Sequence, residues 1–215
     1  MTQTIVEIFE KEVFEKNLPL LDKIATSNLP ELRLPLIAAT PENIAEFGLY
    51  VGEEVPESGL AIPFYKGSVQ EGHNFNFQYH EQAVMRTAKI MQRNPQLDWL
   101  ERHLHLSQLF IPLGIKPFIL VLGPPNHAEG KSLPHLDKLK AFLFEPGVGI
   151  LLHLGTWHDF PFAAQGYVTI LTANSAEVVK ALASCDGPRE LFAGDVFKIN
   201  IPTRLGVRLI VELPQ

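Results

Sequence analysis

The stretch richest in groups that can do chemistry is WLERHLHLSQLFIP, residues 99–112. Glu101, His103 and His105 alternate there with apolar residues. Side chains two apart on a β-strand share a face, so a strand here places these three on one face and the leucines on the other. A charged group amid so many apolar residues costs free energy unless it is paired or used. Histidine beside a carboxylate suits general acid-base catalysis or metal binding near neutral pH.

A second histidine segment is GVGILLHLGTWHDFPF, residues 147–162. His153 lies in an almost wholly apolar strand, and Trp157 and His158 follow a glycine bend. A lone histidine on an apolar strand is usually a hydrogen-bonded core residue, and a polar strand face is often simply solvated. Two histidine-bearing strands in one β chain instead favour ligands that converge inside a small barrel. The residues alone leave both interpretations open.

The elements that must position these residues are short runs that proline and glycine interrupt. Examples beyond residue 50 are FNFQYHEQAVMRTAKI, KPFILVLGPP, YVTILTA and DVFKINIP. Many short strands with few helices between them predict an all-β fold, built as an antiparallel sandwich or barrel. A short helix is predicted in TPENIAEFG, where Thr40 caps the helix, Pro41 takes its first position and Gly48 stops it. Residues 1–32 predict a helical extension before a β domain at 33–215.

The composition excludes several classes of protein. The chain has 215 residues, 46% hydrophobic and 20% charged, with a formal net charge of -6. Binding of nucleic acid relies on clustered Lys and Arg, so the acidic balance argues against such a partner. The single cysteine, Cys185, allows no intramolecular disulfide. The amino terminus lacks the pattern of a signal peptide and the longest apolar run is too short to span a membrane, so we expect a cytoplasmic protein with no membrane partner.

Several segments in register resemble the ureidoglycolate lyase family, which has a cupin-type β fold. The family pattern Glu-x-His-x4-Gln-x-Phe-x-Pro is matched by residues 101–112, and its pattern Gly-x3-His-x3-Trp-His by residues 149–158. LPLIAATPENIAEFGLYVG resembles the family's opening strand and helix, and FQYHEQA resembles its Tyr-His segment. The resemblance implies a cupin-like jelly-roll β-barrel with short flanking helices.

The resemblance also implies an activity. It is that of a carbon-nitrogen lyase, which cleaves ureidoglycolate to glyoxylate and urea in allantoin and purine nitrogen catabolism and forms a homodimer. Ureidoglycolate is a hemiaminal that bears a carboxylate, so its cleavage removes a hydroxyl proton and protonates the departing nitrogen. The catalytic residues implied are His103 or His158 as the proton acceptor, with Glu101 orienting an imidazole or binding a metal.

Five further residues are predicted to bind the substrate. Gln108 offers a donor and an acceptor to the ureido group, and Arg93 offers a planar fork to the carboxylate. The resemblance places Tyr79 and His80 near the site, and Trp157 is predicted to form a pocket wall or part of the core. A divalent metal is the one cofactor considered, because cupin sites often use histidines with a carboxylate. Its candidate ligands are Glu101, His103, His153 and His158.

The chain departs from the family pattern at three positions. Asp159 stands where the family has a second histidine after Trp-His, and Thr172 and Ala173 stand where it has an Asp-Arg pair. His105 is an addition and is assigned a surface or packing role, and Arg102 is expected on the outside because it alternates with the site residues. Two other functions therefore stay open. One is a metal-dependent cupin enzyme such as an isomerase or dioxygenase, and the other is a non-catalytic module that binds small carboxylates.

Overall fold

The computed structural model describes residues 28–52, 54–55, 59 and 62–213. The predicted amino-terminal helical extension lies almost wholly outside the described residues. The described α-helices are α1 (Pro41–Ile44), α2 (Ala176–Ala183) and α3 (Ile201–Leu205), and short 3-10 helices lie at Pro63–Tyr65, His127–Glu129 and Leu136–Lys138. The described strands are β1 (Glu31–Ala38), β2 (Gly48–Val51), β3 (Ala83–Met91), β4 (Gln96–Leu97), β5 (Trp99–Arg102), β6 (Leu109–Leu113), β7 (Phe118–Gly123), β8 (Lys140–Phe144), β9 (Gly149–Leu152), β10 (Trp157–His158), β11 (Phe162–Ala163), β12 (Tyr167–Ser175), β13 (Leu191–Ala193), β14 (Val196–Asn200) and β15 (Arg208–Glu212).

These strands form two curled sheets. The large sheet has the order β13-β14-β5-β10-β7-β8-β1-β15-β4, with β11 also paired to β7. The small sheet has the order β2-β9-β6-β12-β3. Strand β1 runs parallel to β8 and to β15, and the other described pairs are antiparallel. The two sheets make a half-barrel, which confirms the prediction of an all-β, cupin-like fold with short helices.

Strand β7 shows why the large sheet is buried on both faces. All of its residues are buried, and successive side chains of a strand point to opposite faces. Phe118, Leu120 and Leu122 join one hydrophobic cluster, and Ile119 and Val121 join another. We call the first the inter-sheet core, because it also holds small-sheet residues. Those residues are Phe110, Ile150, Leu152, Val168 and Ile170.

The second cluster, the outer core, covers the other face of the large sheet. It includes Leu100, Trp157 and Ile199 from neighbouring strands and Ile201 at the start of α3. The predicted helix near residue 41 is present as α1, but it ends at Ile44, and Gly48, which was predicted to stop it, is the first residue of β2. Thr40 accepts from the main-chain N–H of Asn43, and the Asn43 side chain accepts from the Thr40 N–H, which is a reciprocal cap.

None of the described helices is long and apolar enough to cross a membrane.

Candidate functional site

Three adjacent strands of the large sheet place titratable side chains in one row. Strand pairing sets His158 of β10 opposite Glu101 of β5, and Glu101 opposite Lys198 of β14. Directly paired residues share a face, with Cβ atoms about 4.5–5.5 Å apart. The adjoining residues Arg102 and Trp157 point to the opposite face, into the outer core. The row therefore lies on the inter-sheet side, where the His158 ring packs against an aromatic ring of β6 at 6.2 Å.

His103, just beyond the end of β5, joins this row. Its Nε2 lies 3.9 Å from Oε1 of Glu101, and Nε2 of His158 lies 3.8 Å from the same oxygen. All three side chains are buried. The Nδ1 atom of His103 donates to the main-chain oxygen of Asp195 at 2.6 Å. The Nδ1 atom of His158 donates to the main-chain oxygen of Thr156 at 2.8 Å, so the Nε2 atom of each ring faces the carboxylate.

We refer to Glu101, His103 and His158 as the Glu-His-His cluster. Their ligand atoms lie within 4.8 Å of one another, and Nε2 of His103 is buried with no hydrogen-bond partner in the described part of the chain. Acceptors that face one another in a buried site repel unless a donor or a cation lies among them. These three acceptor atoms can therefore surround the hydrogen of a hydroxyl group, and they can equally bind a divalent metal. The Nδ1 hydrogen bonds are those that metal-binding histidines make.

Lys198 keeps the Glu101 carboxylate ionised. Its Nζ donates to Oε2 of Glu101 at 2.8 Å. Burial acts to raise the pKa of Glu101, but Lys198, with smaller contributions from His103 and His158, lowers that pKa to about 2. Burial likewise acts to lower the pKa of Lys198, but the carboxylates of Glu101 and Asp159 raise it above its usual value. Both members of the pair are therefore charged at neutral pH.

His158 is a neutral imidazole at neutral pH. Burial is the largest cause, and the neighbouring His103 adds to it; together they lower the pKa of His158 to about 4 from its usual 6.5. The Glu101 carboxylate and the Thr156 carbonyl act in the opposite direction, but burial outweighs them. A neutral ring in this position accepts hydrogen bonds at Nε2 rather than donating them.

We expect the low pKa of His158 to make the folded protein less stable in mild acid. Between pH 6.5 and pH 4 the unfolded chain binds a proton at this ring that the folded protein does not bind. Stability is therefore lost as the pH falls through this window, by about 2 kcal/mol between pH 7 and pH 5 from this ring. Urea unfolding of the wild type and of His158→Asn at both pH values measures it. Asn keeps a donor for the Thr156 carbonyl, and an equal loss of stability in the two proteins would contradict the assignment.

Gln108 connects the cluster to the small sheet. Its side-chain amide lies 2.8 Å from Nε2 of His158 and 2.9 Å from the amide of Asn174, which contacts the Thr172 hydroxyl at 3.2 Å. As placed, Oε1 of Gln108 faces Nε2 of His158, Nε2 of Gln108 donates to Oδ1 of Asn174, and Nδ2 of Asn174 donates to the Thr172 hydroxyl. A half-turn of both amides exchanges their oxygen and NH2 positions, so that the Gln108 NH2 group donates to a neutral His158 and Asn174 donates to the Gln108 oxygen. A complete chain of donors and acceptors therefore holds the Gln108 side chain at the cluster.

Arg93 and Asp159 form a buried-to-surface ion pair at the edge of the site. Nη2 of Arg93 donates to Oδ2 of Asp159 at 2.5 Å, and the guanidinium lies 5.0 Å from the Phe162 ring. The Arg93 side chain is 40% exposed, whereas that of Asp159 is 10% exposed. Burial raises the pKa of Asp159, although Arg93 and Lys198 oppose that rise. Charges of alternating sign therefore run from Arg93 at the surface, through Asp159 and Lys198, to Glu101 in the cluster; we call this row the charge chain.

Other residues predicted for the site lie apart from the cluster. His153 follows the end of β9, and its Nε2 lies 3.2 Å from the main-chain oxygen of Ala45. Tyr79 is exposed. His80 is also exposed and lies against a different carboxylate, that of Glu177, with Nδ1 to Oε2 at 2.9 Å. Their predicted roles in substrate or metal binding therefore have no support from proximity to Glu101.

Trp157 and Arg102 belong to the outer core. The Arg102 guanidinium lies 4.5 Å from the Trp157 ring centroid and 4.8 Å from that of Phe197. Both Arg102 and Trp157 donate to the side-chain oxygen of Asn126 at 3.0 Å. The expectation that Arg102 lies outside is wrong, because the face opposite Glu101 is covered by the outer core and Arg102 is fully buried. Burial lowers the pKa of Arg102 to about 9.

Two residues of the site were not predicted from the sequence. Lys198 lies between the apolar residues Phe197 and Ile199 in the segment VFKIN. A lysine flanked by apolar residues in a predicted strand could have indicated a buried position with a charged partner. Asp195 holds the chain after β5, because its carboxylate accepts from the N–H groups of Leu104 and His105 at 2.7 and 3.0 Å. Its main-chain oxygen orients His103, so this one residue fixes both the loop and the imidazole.

A cavity of about 1000 Å³ lies away from this cluster. It is lined by residues of β2, of the following segment and of the turn before β9, among them Tyr50, Val55, Phe75 and Val148. The Glu-His-His cluster contributes no atom to it. Because acid-base chemistry needs converging titratable groups, we assign the functional site to the cluster rather than to this cavity.

Comparison with known proteins gives consistent matches. A family model described as ureidoglycolate lyase matches residues 33–186. The chain is similar to the ureidoglycolate lyase of Azotobacter vinelandii, with 37% identity over 59 residues, which are 27% of this chain and 32% of that protein. It is similar to that of Pseudomonas savastanoi pv. phaseolicola, with 39% identity over 59 residues and the same shares, 27% and 32%. It is also similar to the ureidoglycolate lyase of Salmonella enteritidis, with 32% identity over 75 residues, which are 35% of this chain and 44% of that protein.

These matches have limited extent. The aligned segments span less than half of each of these relatives. The Glu-His-His cluster lies inside the matched region, whereas Asp195 and Lys198 lie beyond its end at residue 186. Part of the site is therefore built from residues that the family model does not cover.

Proposed function

Because the chain belongs to the ureidoglycolate lyase family, we propose that it cleaves ureidoglycolate to glyoxylate and urea by general acid-base catalysis. The observation that carries this proposal is the convergence of three buried acceptors around a point where His103 Nε2 has no partner in the described residues. A hemiaminal hydroxyl is a donor of the kind that such a site accommodates. The three residues also lie at the positions that match the family's motifs.

His103 is the better proton acceptor of the two histidines. Its Nε2 is unpartnered in the described part of the chain, whereas Nε2 of His158 contacts Gln108. The low pKa of His158 also makes it a weak base at neutral pH. We therefore assign proton transfer to His103 and assign His158 to holding the Gln108 amide in place.

The reaction proceeds with one shuttled proton. The substrate hydroxyl donates its proton to Nε2 of His103, the oxygen becomes the carbonyl of glyoxylate, and the carbon-nitrogen bond breaks with its electron pair left on nitrogen. The His103 imidazolium then gives the proton to that nitrogen, so urea leaves neutral and no proton is gained or lost. Glu101 stabilises the imidazolium through its charge at 3.9 Å.

Binding groups for the rest of the substrate surround this centre. Gln108 presents both a donor and an acceptor, which suits the ureido group. Arg93 lies at the exposed end of the charge chain, where its guanidinium can receive the substrate carboxylate in a planar fork. Lys198 adds a second positive charge between that end and Glu101. These assignments explain how an anionic substrate would orient with its hydroxyl toward the cluster.

A divalent metal also fits the donor set, with Glu101, His103 and His158 as its ligands. When bound, a metal would supply positive charge that polarises the substrate oxygen. The protein's own residues would still orient the ligands, since each histidine keeps its Nδ1 bond to a main-chain oxygen. Lys198 would remain paired with the second oxygen of Glu101.

We expect purified protein to release glyoxylate and urea from ureidoglycolate faster than the uncatalysed reaction. Product formation is measured by coupled assays for each product, with metal-stripped protein and with added divalent metal. Turnover in the stripped protein supports the acid-base mechanism, and turnover only with metal supports the metal-bound form. Binding of ureidoglycolate without release of either product, with or without metal, would instead identify a small-carboxylate binding module and refute the proposed activity.

Family membership supports two wider proposals. One is a role in allantoin and purine nitrogen catabolism, where a preceding reaction supplies the hemiaminal. The other is a homodimer, for which exposed apolar side chains such as Met85, Met91 and Tyr167 on β3 and β12 offer contact area.

A further inference from the structure

Two histidines outside the Glu-His-His cluster meet a carboxylate at the surface. His80 precedes β3, His105 follows β5, and Glu177 lies in the first turn of α2. Nδ1 of His80 lies 2.9 Å from Oε2 of Glu177, and Nδ1 of His105 lies 3.6 Å from the same oxygen. We call these three residues the surface triad. Three segments far apart in the sequence thus bring two imidazoles to one carboxylate oxygen.

The distances in the surface triad suit a transition-metal ion. One ligand atom from each residue lies within 4.8 Å of the others. Zinc binds nitrogen and carboxylate oxygen at about 2.0–2.2 Å in a tetrahedron, whose edges are then about 3.3–3.6 Å. The separations of Oε2 of Glu177 from the two ring nitrogens, 2.9 and 3.6 Å, lie close to this range. Small side-chain rotations of the exposed His80 would complete the geometry.

An unsatisfied atom and the local charge support the same interpretation. Nδ1 of His105 is buried and has no hydrogen-bond partner in the part of the chain that the structure describes. The Asp195 carboxylate lies 3.7 Å from it, which adds a second negative charge beside Glu177. The nearby Lys180 ammonium pairs with Glu81 at 2.8 Å and not with this carboxylate pair. A cation at the surface triad would satisfy the ring nitrogen and offset both charges.

We propose that His80, His105 and Glu177 bind a zinc ion in a site separate from the Glu-His-His cluster. His105 is an addition to the family motif, so the site would be a property of this chain rather than of the shared catalytic set. Asp195 links the two, because its carboxylate contacts the main chain of His105 and its main-chain oxygen orients His103. Zinc at the surface triad therefore fixes the loop that holds the catalytic imidazole.

Zinc titration calorimetry of the metal-stripped protein tests this proposal. The background protein carries both His103→Asn and His158→Asn. These substitutions remove the two imidazoles through which the Glu-His-His cluster could bind zinc. We expect one zinc ion to bind in that background, and His80→Ala or Glu177→Gln to weaken its binding by roughly 10- to 100-fold or more. Zinc should also raise the melting temperature of the background protein, and it should not do so after His80→Ala.

His135→Ala is the matched control, because His135 lies 3.6 Å from a single carboxylate, that of Glu129. It should leave zinc binding unchanged. His80 is 66% exposed, so its replacement leaves the fold intact, which circular dichroism verifies. Absence of zinc binding in the background protein would overturn the proposal. Equal affinity with and without His80→Ala, or an equal loss in His135→Ala, would show only adventitious surface binding and would overturn it as well.

Discussion

His103→Ala is expected to lower the turnover of ureidoglycolate by roughly 100-fold or more, the usual contribution of a positioned acid-base group. The physical reason is that, among the residues that the structure describes, Nε2 of His103 has no hydrogen-bond partner and can accept the substrate proton. Because His103 is buried and donates to Asp195, alanine also costs stability, on the order of 1–3 kcal/mol. Turnover is therefore measured per folded molecule, with the folded fraction taken from urea unfolding.

His103→Asn separates catalysis from stability. Asparagine places an amide N–H near the position of Nδ1, so it can keep the bond to the Asp195 oxygen, but it has no atom at the position of Nε2. We expect it to retain most of the stability and to lose turnover as severely as alanine does. His153→Ala is the histidine control, because His153 contacts a main-chain oxygen away from the cluster. Wild-type turnover in His103→Asn, or an equal loss in His153→Ala, would contradict the assignment.

Lys198→Met is expected to lower the free energy of unfolding by about 3–5 kcal/mol at pH 7, the usual cost of breaking a buried ion pair from one side. The side chain of Glu101 is 4% exposed and that of Lys198 is 21% exposed, so water replaces little of the lost interaction. Without Lys198, the pKa of Glu101 should rise because burial is no longer opposed by the ammonium. Urea unfolding at pH 7 gives the change in stability.

Glu101→Gln in the Lys198→Met protein tests the cause of that loss. A neutral amide needs no cation, so the double variant should recover most of the stability while turnover stays low. The coupling energy between the two substitutions then measures the pair itself. Unfolding of Lys198→Met at the wild-type urea midpoint, or failure of Glu101→Gln to restore stability, would show that the pair does not hold this part of the sheet together.

The sequence by itself determined the local features of this protein. Alternating short strands predicted the all-β fold, and Thr40 followed by Pro41 predicted the start of α1, because both depend on neighbouring residues and on fixed backbone periods. The motif at residues 101–112 also predicted a site around Glu101 and His103. Gln108 lies five residues after His103, an odd offset, so the two can face the same site only if the chain bends between them; it does bend at Leu104 and His105.

Only the tertiary structure decided which distant side chains meet. A period of two tells which residues of a strand share a face, but it does not tell which strand lies beside it or in what register. Pairing of β14, β5 and β10 set Lys198 against Glu101 and Glu101 against His158. A one-residue shift of that register would turn Lys198 to the opposite face.

The same limit explains the residues whose surroundings the sequence did not predict. Whether a strand face is exposed or buried depends on what packs against it. Arg102 alternates with Glu101 as predicted, but the outer core covers its face and buries it. His105 was expected to share the face of His103, but β5 ends at Arg102 and the following bend breaks the alternation. His105 therefore meets His80 and Glu177, because the chain turns where the strand's hydrogen bonding ends.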